Sequence, residues 1–171
     1  MASVLKNLSD YNQSIIPSGE NLCVGIVVAD WNEHITHAMY DGCFNTLMQH
    51  GVKESNIFTA QVPGSFELPV AAKWLAQRHK LDAVICIGCV IKGETKHDEY
   101  ISFSVANALE TMSVMTSIPF IFGVLTPNNE QQALDRAGGK HGNKGIEAAV
   151  TALRMAVLRK DLTTTKHKIG F

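Results

Sequence analysis

Four short apolar runs, rich in β-branched residues, recur along the chain. They are LCVGIVVA (22–29), IFTAQV (57–62), AVICIGCVI (83–91) and FIFGVL (120–125). Unbroken apolar runs of this length are typical of strands that are buried on both faces of a parallel sheet. The pattern therefore predicts four such strands.

The segments between these runs have the apolar spacing of amphipathic helices. The second gap, from Leu68 to Gln77, contains Pro69, which a helix tolerates in its first turn. A short helix near residues 129–137 and a loop, GGKHGNKG, are predicted after the fourth run. The apolar positions of the other three helices are Ile35, Met39, Cys43 and Leu47; Ile101, Val105, Leu109 and Met112; and Ile146, Val150, Leu153 and Val157.

Regular alternation of strand and helix predicts an α/β fold with three layers, α/β/α. A four-stranded parallel sheet would be doubly wound, in the flavodoxin-like manner, through right-handed crossovers. Neither a repeat nor a low-complexity tract interrupts the pattern, so residues 1–171 are predicted to form one domain. Residues 1–19 lack periodicity and contain Pro17 and Gly19, so we expect an N-terminal arm outside the core.

Composition excludes several classes of protein. A formal charge of -1 gives no basic footprint for nucleic acid. The N-terminus lacks the features of a secretory signal, and no window reaches the roughly 18 apolar residues of a membrane span. The four cysteines are few and lie in apolar surroundings, which favours buried, reduced thiols. We therefore expect a cytoplasmic protein with no membrane or nucleic-acid partner.

Distinctive residues follow every predicted strand. The segments are 30–32, 63–67, 92–97 and 126–128. In open parallel sheets ligands bind beyond the carboxyl ends of the strands. The sequence therefore predicts that the four segments meet at one edge of the sheet and form a ligand site.

The first two segments suit an aromatic ligand, although each residue has a simpler interpretation. Trp31 would either plug the core or stack on a ligand. Asn32, Ser65 and Glu67 are in positions typical of helix caps. Phe66 next to Glu67, however, offers a flat face and a hydrogen-bond acceptor, which suits a planar ring that carries NH groups.

The third segment has the composition of an anion site. Gly93 permits close approach of the backbone, Thr95 supplies a hydroxyl, and a helix beginning near Asp98 offers free amides. The spacing is not that of a P-loop. His97, at the edge of this segment, is either a surface residue or a proton shuttle. The alternative for the whole segment is a solvated turn.

Two motifs with metal-like spacing are weaker candidates. Cys86 and Cys89 are three apart in a strand, so they should point to opposite faces and pack in the core. His34 and His37 have no third ligand nearby, which favours a solvated helix face. No metal site is predicted.

Two basic residues in the last third of the chain are ambiguous. Arg136 would interact with a helix C-terminus or bind phosphate, for which guanidinium is well suited. Lys144, between Asn143 and Gly145, has no single favoured role.

Read together, six segments resemble 6,7-dimethyl-8-ribityllumazine synthase, the penultimate enzyme of riboflavin biosynthesis. The resemblance spans roughly residues 20–160, and the arm 1–19 and tail 161–171 contain no matching motif. The segments, in the order and approximate spacing of the family, are Trp31-Asn32, PGSFELP (63–69), GCVIKGETKHDEY (88–100), PFIFGVLT (119–126), RAG (136–138) and GNKGIEAA (142–149).

The resemblance implies a transferase that uses two small-molecule substrates and neither metal nor organic cofactor. It would condense 5-amino-6-(D-ribitylamino)uracil with 3,4-dihydroxy-2-butanone 4-phosphate and release phosphate and water. The catalytic residue would be His97, which moves protons. The residues that would contact the pyrimidine or ribityl group are Trp31, Ser65, Phe66, Glu67, Cys89, Val90, Ile91, Phe122 (offered from the adjacent subunit) and Lys144. The phosphate would be bound by Glu94, Thr95 and Arg136.

The resemblance also implies a homo-oligomer, a pentamer or an assembly of pentamers with sites between neighbours. The short GGKHGNKG connection is similar to that of members that form sixty-subunit shells. Trp31 stands where phenylalanine is also common in the family. Glu94 places a carboxylate beside the proposed phosphate site, so we expect its amide to bind and its side chain to turn away.

Two alternative functions use the same edge of the sheet. One is an archaeal-type riboflavin synthase, which shares the fold. The predicted phosphate loop, with His97 and Arg136, argues against this alternative, because its reaction involves no phosphate. The other is a non-catalytic module that binds a flavin or a phosphosugar.

Overall fold

A computed structural model, which describes residues 7–164, has the predicted α/β/α architecture. Four parallel strands in the order β2-β1-β3-β4 form the central sheet. The third strand ends two residues before the predicted end. The strands are β1 (Val24–Ala29), β2 (Ile57–Val62), β3 (Ala83–Cys89) and β4 (Phe120–Leu125), and the helices are α1 (Glu33–Gln49), α2 (Leu68–Arg78), α3 (His97–Thr116), α4 (Glu130–Leu134) and α5 (Lys144–Thr164).

Each face of the sheet has its own hydrophobic core. Side chains of a strand alternate between faces, so Ile26 and Val28 pack with α1 and α5, whereas Val27 and Ala29 pack with α2 and α3. The helical positions predicted for α1 are all buried in the first core. Within residues 7–164, no helix has both the length and the apolar character needed to cross a bilayer.

The prediction that all four strands are buried on both faces is wrong for β2. Only Val62 of this strand is buried, and Thr59 and Gln61 are exposed. The strand order places β2 at an edge of the sheet, where its polar residues meet solvent. β4, at the other edge, is buried at all but one position.

The predicted loop GGKHGNKG instead contains most of a small β-hairpin. Its strands are β5 (Ala137–Gly139) and β6 (Gly142–Asn143), paired antiparallel. Gly138 and Gly142 have φ values of 122° and 80°, which glycine adopts without a steric penalty. The run of glycines is thus a requirement of a tight hairpin.

The described part of the predicted arm lies on the chain's own surface. Leu8 N donates to His141 O (2.7 Å), and Gly19 N donates to His50 O (2.7 Å). Gly19 is buried, and Ile16 packs against the first core. Residues 1–6 of the arm and 165–171 of the tail lie outside the described residues.

All four cysteines are free thiols, as predicted. Cys86 and Cys89 belong to the cores on opposite faces of the sheet, which confirms the packing interpretation of that pair. Burial raises the pKa of Cys43 and Cys86 far above the usual thiol range and that of Cys89 to about 12. Cys23 is half-buried.

Native protein treated with iodoacetamide at pH 8 is therefore expected to gain one label per chain, at Cys23. The thiolate is the reactive species, and a raised pKa keeps the other three thiols protonated at this pH. Denatured protein should be labelled at all four cysteines. Mass spectrometry of tryptic peptides measures both, and early labelling of Cys86 or Cys89 would contradict the burial described above.

Candidate active site at the carboxyl edge of the sheet

The loops after β1, β2 and β3 are joined by hydrogen bonds into one continuous edge. Trp31 N donates to Pro63 O (3.0 Å), and Asn32 Nδ2 donates to Cys89 O (3.1 Å). The chain leaves the neighbouring strands β1 and β3 in opposite directions, towards β2 and β4. This is the switch point at which open α/β sheets bind ligands, and the Asn32–Cys89 bond crosses it.

The sequence predicted that Asn32 caps α1. Asn32 does lie at the start of α1, but its side chain makes no capping hydrogen bond. Its backbone is left-handed, with φ 62° and ψ 45°, a conformation that asparagine tolerates better than most residues. The carbonyl accepts from Ile35 N and Thr36 N, while the side chain bonds to β3. The neighbouring Trp31 side chain is 72% exposed, so its ring faces open space at the edge.

Glu67 is the N-cap residue of α2, as its position predicted, but within the described chain neither its side chain nor that of Ser65 makes a capping hydrogen bond. They lie in a 3₁₀ turn, Ser65–Glu67, in front of the helix. Ser65 is 6% exposed and its Oγ has no partner within residues 7–164. A Cβ at Gly88 would lie 2.5 Å from this oxygen, so Gly88 lets the turn pack on β3. The next residue, Phe66, is 58% exposed, so the turn presents a ring at the surface while the Ser65 hydroxyl is buried.

The chain beyond β3 continues alongside the chain beyond β4. Val90 N donates to Leu125 O (2.8 Å) and Lys92 N donates to Pro127 O (2.9 Å). The N–H of Val90 is thus already engaged within the fold.

The predicted anion loop is exposed and held by its own side chains. Gly93 N donates to Asp98 Oδ1 (3.4 Å), and His97 N donates to Thr95 Oγ1 (3.4 Å). Both bonds are long for N–H···O bonds, and Glu94 is exposed. α3 begins at His97, one residue before the predicted start, so the exposed imidazole is held at a helix N-terminus.

Arg136 and Lys144 are held together by the hairpin. Lys144 N donates to Arg136 O (2.8 Å). Arg136 Nη1 donates to Gln132 O (3.0 Å), and Lys144 Nζ contacts Glu147 Oε1 (2.8 Å). Both basic side chains are half-buried. The guanidinium retains further N–H groups for a ligand, since only one is used in this bond.

Phe122 does not lie at this edge in its own chain. It pairs with Cys86 in the middle of β4, three residues before the strand ends, or about 10 Å along the strand. Its half-buried ring packs against the core formed with α2 and α3.

Each of the two histidines of α1 lies near one acidic side chain. His34 Nε2 lies 2.8 Å from Glu130 Oε1, and His37 Nε2 lies 3.6 Å from Asp30 Oδ1. Across residues 7–164, no three His, Cys, Asp or Glu side chains come together as a possible metal site.

Sequence reasoning missed the roles of two asparagines. Asn32 was predicted only as a cap, and Asn143 was not singled out, although its side chain makes three hydrogen bonds. For Asn143, the available indication was a polar residue that directly follows Gly142 and lies two residues before Gly145. For Asn32, no local pattern identifies Cys89 as the partner.

Comparison with known proteins agrees with this geometry. The family model described as 6,7-dimethyl-8-ribityllumazine synthase matches residues 21–160. The enzyme of that name from Porphyromonas gingivalis is 50% identical over 94% of this chain and 99% of its own. The enzyme of that name from Cytophaga hutchinsonii is 51% identical over 91% of this chain and 97% of its own. The one from Flavobacterium psychrophilum is 46% identical over 98% of this chain and 89% of its own. The chain therefore belongs to the 6,7-dimethyl-8-ribityllumazine synthase family.

Proposed function

We propose that this chain condenses 5-amino-6-(D-ribitylamino)uracil with 3,4-dihydroxy-2-butanone 4-phosphate to give 6,7-dimethyl-8-ribityllumazine. Family membership over most of the chain supports the reaction. The structural observation that supports this reaction is the Asn32–Cys89 bond. It joins the loop after β1, which contains Trp31, to the end of β3, so the residues proposed to contact the pyrimidine lie close to one another.

The uracil would bind against the exposed ring of Trp31. Stacking on indole suits a flat heterocycle. Backbone groups between Cys89 and Ile91 would bind the edge of the ring, and Phe66 and Glu67 the ribityl chain. The buried Oγ of Ser65 supports this assignment, because an unpaired hydroxyl at a ligand site gains a hydrogen bond on binding.

The phosphate would bind between Arg136 and the exposed loop at the start of α3. A helix N-terminus and a guanidinium both favour an anion. Glu94 and Thr95 would contribute backbone amides. Lys144 would contact the pyrimidine or ribityl group, and the bond from Lys144 N to Arg136 O supports a position beside the phosphate site.

The reaction needs oriented partners and proton transfer more than a strong nucleophile. The amine attacks the ketone, water leaves to form an imine, phosphate is eliminated and the ring closes. Holding the two substrates together supplies much of the acceleration. His97 would move protons, and Arg136 would stabilise the growing charge of the departing phosphate.

We also propose that the protein forms a homo-oligomer, which is a pentamer or an assembly of pentamers. Val70, Trp74 and Phe103 are exposed on α2 and α3, and a neighbouring copy would cover such apolar surface. The position of Phe122 away from its own edge supports its use by an adjacent subunit. Free cysteines support a reducing compartment such as the cytoplasm.

Incubating the purified protein with both substrates is expected to produce lumazine, followed by its fluorescence, and one equivalent of phosphate. Absence of product would reject the assignment. Conversion of lumazine alone to riboflavin would favour the riboflavin synthase alternative. Binding of a flavin, with no turnover of the two substrates or of lumazine alone, would favour the non-catalytic module.

A further inference from the structure

The side chain of Asn143 forms hydrogen bonds with three elements, α1, β5 and α5. It is 7% exposed. Its Oδ1 accepts from Gly145 N (2.8 Å) in the first turn of α5. Its Nδ2 donates to Ala38 O of α1 (2.9 Å) and to Ala137 O of β5 (3.4 Å). A buried amide that is satisfied in this way orients all three groups.

Two glycines allow close packing around Asn143. A Cβ at Gly42 would lie 2.6 Å from Asn143 Nδ2, and one at Gly145 would lie 1.8 Å from Met39 O. The backbone N of Asn143 also donates to Ser9 Oγ (2.9 Å). Hairpin, α1 and α5 are therefore fixed relative to one another at this residue.

The two basic residues proposed for the site adjoin these bonds. Lys144 directly follows Asn143, and Arg136 directly precedes Ala137, whose carbonyl Asn143 holds. Lys144 N and Arg136 O are themselves bonded (2.8 Å). α1, the third element, begins one residue after Asn32 at the carboxyl edge of the sheet.

We infer that Asn143 is a positioning residue, which fixes the hairpin backbone from which Arg136 reaches the phosphate-bearing substrate. The inference rests on the proposed function. Without the amide, α5 still packs against α1 in the first core, but the bond that ties the hairpin to Ala38 O of α1 is lost. Arg136, which adjoins Ala137 of the hairpin, then shifts, and small displacements of substrate-binding groups are costly for catalysis.

Asn143→Ala is expected to raise KM for the butanone phosphate about 10-fold or more, with a smaller change in KM for the uracil. Kd for inorganic phosphate, measured by calorimetry, should rise in parallel. Thr46→Val is the matched control. It removes the bond from buried Thr46 Oγ1 to Gly42 O (2.7 Å) on the same helix, and should lower Tm while leaving both KM values unchanged.

Asn143→Asp keeps the acceptor for Gly145 N but replaces the donor towards Ala38, so it should have the same effect on KM if the alanine variant does not fold. Equal KM values in wild type and the Asn143 variants, or equal changes for both substrates, would overturn the inference. If wild type forms no lumazine, the proposed function fails, and phosphate binding alone decides the role of Asn143: an unchanged Kd in the variants rejects it.

Discussion

Replacing His97 by alanine is expected to lower kcat about 100-fold or more, with Tm unchanged. The imidazole is exposed at the first position of α3, and the bond from this residue to Thr95 uses the backbone N–H. Removing the side chain therefore leaves the loop and the helix intact. Steady-state lumazine formation and thermal unfolding, measured on the same sample, test both parts.

His79→Ala is the control for that substitution. His79 lies at the end of α2, just before β3 and thus at the opposite edge of the sheet, where it stacks on Phe58 at 3.9 Å between ring centroids. Its loss should lower Tm and leave kcat unchanged. Wild-type kcat in His97→Ala would remove this histidine from the mechanism.

Gly145→Ala is expected to destabilise the protein by about 3 kcal/mol. The added methyl would lie 1.8 Å from Met39 O, a backbone atom of α1. That atom has no rotamer to change, so the two helices must separate at this contact. The expected result is a lower midpoint of urea denaturation, measured at fixed protein concentration because association shifts the apparent stability.

Gly93→Ala serves as the comparison for this prediction. A Cβ at Gly93 meets nothing within 4 Å, and surface changes of this kind are within about 0.5 kcal/mol of wild type. If both glycine variants unfold at the same urea concentration, close packing of α1 on α5 is not what Gly145 provides.

Periodicity predicted the elements of this fold well, because it reports directly on which positions face a core. The apolar positions of α1, from Ile35 to Leu47, are buried as expected, and Pro69 lies in the first turn of α2. The prediction that β2 is buried on both faces failed because periodicity reports only on local pattern. A short apolar run does not reveal its place in the sheet, and β2 became an edge.

The resemblance of six segments to one family is confirmed by the family match and by relatives near 50% identity. The individual roles proposed for residues such as Trp31, His97 and Arg136 stay predictions until variants are measured. Alternation of strands and helices also predicted that the loops after the strands would meet, since parallel strands end at one edge.

By itself, the sequence determined which segments form the four-stranded sheet and its helices and which face of α1, α3 and α5 is buried, and it predicted a ligand site at the carboxyl edge of the sheet. The tertiary structure alone decided what the polar side chains bind. Asn32 bonds to Cys89, 57 residues away, and Asn143 to Ala38, 105 residues away. Local pattern predicted capping for Asn32 and Ser65 because nearby amides are the default partners. Folding brought Cys89 within reach of Asn32 and packed Ser65 against Gly88, and such distant neighbours leave no periodic trace along the chain.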